Sequence, residues 1–65
     1  MSNLQWKDHE GYLSAECEGC TYKIHNRGWY HIERHTHSKD GPIIEKLGTK
    51  HNLEDAKQLA EDDRN

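Results

Sequence analysis

Two short turns constrain the middle of this chain more than any other feature. Between residues 12 and 37 apolar and polar positions alternate, and the alternation is interrupted twice, at Glu18-Gly19 and at Asn26-Arg27-Gly28. Glycine supplies the positive φ that a tight hairpin requires, and Asn tolerates it. The reading is three antiparallel strands. Leu13, Ala15 and Cys17 share one face of the first strand; Cys20, Tyr22 and Ile24 continue that face in the second, and Tyr30 and Ile32 in the third. The opposite face then carries Lys23 and His25, followed by Trp29, His31, Glu33 and His35. Beyond Ile32 the inward positions fall to Arg34 and Thr36, so the third strand is expected to overhang the core.

The flanks are weaker. Leu4 and Trp6, two residues apart, suit a short first strand, and Gly11 breaks the pattern after it. Ser38-Lys39-Asp40-Gly41-Pro42 is a dense turn cluster, and Ile43-Ile44-Glu45-Lys46-Leu47 reads as a further strand stopped by Gly48. The one convincing helix follows. Asn52 is a good N-cap, Asp55 stands three residues on, and Leu53, Ala56, Leu59 and Ala60 form a stripe at helical spacing. Glu61, Asp62 and Asp63 oppose the helix dipole, so the end is expected to fray. The predicted fold is α+β: a three- to four-stranded antiparallel β-meander with one C-terminal helix packed on one face. Residues 1–65 form a single domain, with 1–5 and 62–65 frayed.

Sixty-five residues, only 31% of them hydrophobic, allow one thin core. No apolar run approaches the roughly 20 residues of a membrane span and no signal peptide opens the chain, so the expected location is cytoplasmic, without a membrane partner. The net charge of -3 is unevenly placed. Residues 53–65 hold five acids against Lys57 and Arg64, whereas residues 20–39 set Lys23, Arg27, Arg34 and Lys39 against Glu33 alone. A locally basic sheet is followed by an acidic helix.

Cys17-Glu18-Gly19-Cys20 is the sharpest local feature. Two thiolates on a turn can hold zinc, with two of His31, His35 and His37 completing the site. Tested against a two-Cys, two-His finger, a gap of about twelve after Cys20 lands on Glu33, not on a histidine. The alternatives are free thiols acting as small buried apolar groups, and a cross-strand disulfide. A redox pair needs a helix N-terminus to lower its thiol pKa, and none follows Cys20. Free thiols, with no metal and no cofactor, are the expectation.

Six histidines invite catalytic readings. Ser14 and Ser38 stand in no nucleophile motif, no carboxylate pair has an apolar setting, and there is no Gly-rich phosphate loop, so no enzyme is expected. The outer sheet face is the better candidate. Lys23, His25, Arg27, Trp29, His31 and His35 are the expected binding residues, for an unidentified protein partner or, alternatively, for nucleic acid.

From Trp29 to Glu61, Gly-Trp-Tyr-His-Ile-Glu, a Lys-Asp-Gly turn, Ile-Ile-Glu-Lys-Leu-Gly and Asn-Leu-Glu-Asp-Ala-Lys-Gln-Leu-Ala-Glu follow in order. This half of the chain resembles the three-strand-plus-helix DNA-binding modules of phage and transposon integrase arms and of plant AP2 domains. Those read DNA through strand arginines; here Lys23, Arg27 and Arg34 occupy the strand region. The same grammar looks like many small sheet-plus-helix proteins of phage and prophage genomes, and that likeness implies a phage-derived accessory or regulatory binding module. A small zinc-binding module is the remaining alternative.

Overall fold

The computed structural model describes residues 4–64. Five strands, β1 (Trp6–His9), β2 (Tyr12–Cys17), β3 (Cys20–Asn26), β4 (Tyr30–Thr36) and β5 (Ile43–Lys50), precede α1 (Leu53–Arg64). The strands lie in the order of the chain, each antiparallel to the next. The helix packs across β3, β4 and β5 on one face of the sheet. The class is α+β, with five strands where the sequence suggested three or four. No helix among the described residues is long and apolar enough to cross a membrane.

The extra strand is β1. Trp6 pairs with Ala15 and His9 with Tyr12, so Glu10-Gly11 is a second two-residue turn, built like Glu18-Gly19. Gly11 and Gly19 both have φ near the left-handed region, at 84° and 75°. Alternation then dictates the faces. Ala15, Tyr22, Ile24 and Ile32 point inward and are buried together with Leu4, Ala56 and Ala60. Leu13, Tyr30, Leu47, Leu53 and Leu59 pack partly buried around them. Leu4 therefore belongs to the core, inside a stretch expected to fray; residues 1–3 and 65 of the expected frayed ends lie outside the described residues.

Gly48 does not stop its strand. β5 runs through it to Lys50, and the register shifts there: Ile32 faces Gly48, whereas Glu33 faces Lys46. Leu47 is the extra residue of this bulge and packs against the core. A Cβ at Gly48, where φ is 155°, would lie 3.1 Å from Leu59 Cδ2 of the helix. The glycine lets α1 approach the sheet edge.

Nor does β4 overhang the core. Arg34 is inward as expected, but the last turn of α1 covers it. Arg34 Nη1 donates to Asp63 Oδ2 at 2.7 Å and Nη2 meets Glu45 Oε2 at 2.8 Å. The Tyr22 hydroxyl donates to the same Asp63 oxygen at 2.9 Å. Burial, reinforced by the hydrogen bond to Asp63, raises the Tyr22 pKa and keeps the hydroxyl a donor. Ala56, Ala60 and Asp63 follow one helical stripe, so the acid that opposes the dipole is the one aimed at the sheet. The helix continues to Arg64.

At the other end the cap is as expected. Asp55 N–H donates to Asn52 Oδ1 at 2.8 Å, and Asn52 Nδ2 donates to Asp55 Oδ2 at 3.2 Å. Asn52→Ala is expected to cost about 1 kcal/mol in urea denaturation, because a first-turn N–H loses its acceptor. An unchanged midpoint would show that Asn52 does not cap α1.

Candidate functional site on the open sheet face

With α1 on one face, the other face of the sheet is open. The cross-strand register builds it directly. Tyr12 pairs with His25 and His25 with His31; Ser14 pairs with Lys23, Lys23 with Glu33, and Glu33 with Lys46; Thr21 pairs with His35. Lys23, His25 and Arg27 reach this side from β3 and the turn after it, His31, Glu33 and His35 from β4, and Lys46 from β5. Together they line a hollow of about 470 Å³.

Glu33 organises the hollow. Its Oε1 accepts from His35 Nε2 at 3.0 Å and from His25 Nε2 at 3.1 Å. An ionised carboxylate only accepts, so both Nε2 atoms carry their proton. The two rings are thereby fixed in orientation. The hydrogen bond from His35, joined by the charge and hydrogen bond of His25, holds Glu33 below its ordinary value of 4.5 although partial burial opposes this. A depressed carboxylate contributes stability above its unfolded value, and that contribution is lost as pH falls through the folded value. Glu33→Gln is therefore expected to lose less stability than the parent when pH falls below about 4.5. Thermal unfolding of both proteins across that range checks this, and parallel curves would exclude the linkage.

Five of the six expected binding residues, Lys23, His25, Arg27, His31 and His35, line this one hollow. Trp29 does not. It sits in the turn before β4, about half exposed, with its ring 4.2 Å from that of His51. Sequence reading missed His51 as its companion, and also Lys46. Lys46 enters because β5 pairs with β4 in a register set by the Leu47 bulge, and no local pattern announces that register.

The cysteines are not free. Cys17 and Cys20 are direct partners flanking the Glu18-Gly19 turn between β2 and β3, with Cα atoms 5.4 Å apart, and are joined by a disulfide. This replaces the free-thiol expectation: alternation puts both side chains on the helix side, and a two-residue turn brings them to bonding distance. His31 and His35 project from the opposite face of the sheet. His37 Nε2 meets Thr21 Oγ1 at 3.3 Å, also on the open side. The set Cys17, Cys20 and two of His31, His35 and His37 is therefore divided by the sheet. Among the described residues no group of three or more His, Cys, Asp or Glu is arranged to hold a metal ion.

The bridge closes a very short loop, so the chain-entropy model assigns it about 2 kcal/mol. The double change Cys17→Ser, Cys20→Ser is expected to lower stability by that amount and leave the sheet intact. Reductant should reproduce the loss in the parent. Unfolding by either route would mean that the hairpin depends on its bridge.

His9 Nε2 lies 2.8 Å from Ser14 Oγ across β1 and β2. The pair is exposed. Comparison with family models, with curated proteins and with solved structures finds no match to this chain.

Proposed function

We propose that this chain is a small non-enzymatic accessory or regulatory module that binds an anionic partner on its open sheet face. One observation carries the reading. Three permanent cations, Lys23, Arg27 and Lys46, and three histidines converge on a single hollow, and its only carboxylate among the described residues, Glu33, is already engaged by His25 and His35. The net charge of -3 does not oppose this. It resides in residues 53–65, and α1 lies on the far side of the sheet. Residues 1–52 sum to zero, so the excess negative charge lies in the helix layer, away from the cations that line the hollow.

Binding to an immobilised polyanion such as heparin, measured across ionic strength, tests the reading. Retention should fall steeply with salt, and Lys23→Glu together with Arg27→Glu should abolish it. Retention that ignores salt, or survives both charge reversals, overturns it.

A further inference from the structure

The open face carries an ordered row of rings beside an ordered row of lysines, and we propose that it binds single-stranded nucleic acid laid across the strands. This inference rests on the anion-binding reading above and names the partner.

The rings come from the register. His9, Tyr12, His25 and His31 are successive direct partners on β1, β2, β3 and β4. The His9 and Tyr12 rings stack, with centroids 4.6 Å apart and planes within 14°. Tyr12 and His25 follow at 5.7 Å and 30°. The pile ends at His25. His31 makes no ring contact with it among the described residues; both line the hollow instead. Glu33 holds His25 in place from the side. A base entering the hollow continues the pile by stacking on His25.

The neighbouring row supplies the charge. Lys7, Ser14, Lys23, Glu33 and Lys46 are again successive partners across all five strands. Adjacent strands lie about 4.8 Å apart, so Lys7, Lys23 and Lys46 recur roughly every 10 Å beside the rings. Lys23 Nζ stands 5.6 Å from the Tyr12 centroid, which ties the two rows together. Lys7 lies outside the hollow, two strands beyond Lys23. A free nucleotide in the hollow leaves Lys7 unused, whereas a strand crossing the sheet reaches it. Trp29 and His51 continue the outer alternation of β4 and β5 past the other end of the ring row and offer a further stacking surface. In a duplex the base faces are already stacked and covered, so a ring pile favours single strands. A site of about four nucleotides, at the low end for such platforms, spans the face.

Fluorescence anisotropy with a labelled single-stranded ten-mer tests this, using the full chain. The single strand should bind at least tenfold tighter than its duplex and than polyglutamate, and a mononucleotide should compete poorly. Tyr12→Leu and His25→Leu, each verified as folded by circular dichroism, should weaken single-strand binding by at least fivefold. Lys7→Ala should reduce the salt slope by about 0.7. The unmodified protein alone decides between single strand, duplex and polyglutamate if a variant misfolds. Equal binding of all three polyanions, or effective competition by the mononucleotide, overturns the strand reading while leaving an anion-binding face. Failure of every polyanion to bind overturns both.

Discussion

Ile32→Ala should cost roughly 2–5 kcal/mol, the range for truncating a buried Ile, and leave a large part of the protein unfolded without denaturant. Ile32 is 1% exposed, and its direct partner Ile24 is buried as deeply. The pair sits at the centre of the sheet under α1, where few neighbours can collapse into the space. A chain of this length holds about 3–10 kcal/mol in total, so one truncation removes much of it. Urea denaturation followed by Trp fluorescence measures the loss. A shift below about 1 kcal/mol would mean that the centre of the core lies elsewhere.

Ala60→Leu should be the next most damaging change, through excess volume. Ala56 and Ala60 are wholly buried, and their small side chains set how closely α1 approaches the sheet. Overpacking a tight contact typically costs about 1–3 kcal/mol. Here the helix has little freedom to lift, because Asp63, three residues on, is tied to Tyr22 and Arg34. Lifting the last turn would strip Arg34 and the Tyr22 hydroxyl of that partner. The expected result is a lowered melting temperature, with loss of the Asp63 contacts visible as a shift of the Tyr22 ring resonances. The exposed substitution Gln58→Leu, on the same helix, serves as the control. Equal stability of the two variants would contradict the close packing.

Both effects reach back to what a linear chain reveals. The β2, β3 and β4 hairpins were legible because their causes are local: alternation assigns the faces, and a glycine in each turn permits the reversal. The cap at Asn52 was legible for the same reason, since its donor lies three residues away. Clustering of Lys23, His25, His31 and His35 on one side followed from alternation alone, whereas Arg27 reaches that side from the turn between β3 and β4. The spacing of Cys17 and Cys20 could not choose among thiol, zinc and disulfide. The structure decides it by pairing the two residues directly across the turn, with Cα atoms 5.4 Å apart and the sulfurs bonded.

What the chain by itself determined was thus the alternation, the turns, the helix and its start. Tertiary structure decided the rest. Leu4, Trp6 and their neighbours become core and edge strand only because β2 offers them a partner. β5 passes through Gly48 because the bulge at Leu47 and the approach of Leu59 require a residue without a side chain there. Asp63 looked like an acid on a fraying end, and Arg34 like a charge beyond the core; each is explained only by the other, 29 positions away. The ring and lysine rows are likewise a property of register across five strands. Register is fixed by burying the inward set under α1, because a slip of one residue would turn Ile24 and Ile32 out into water.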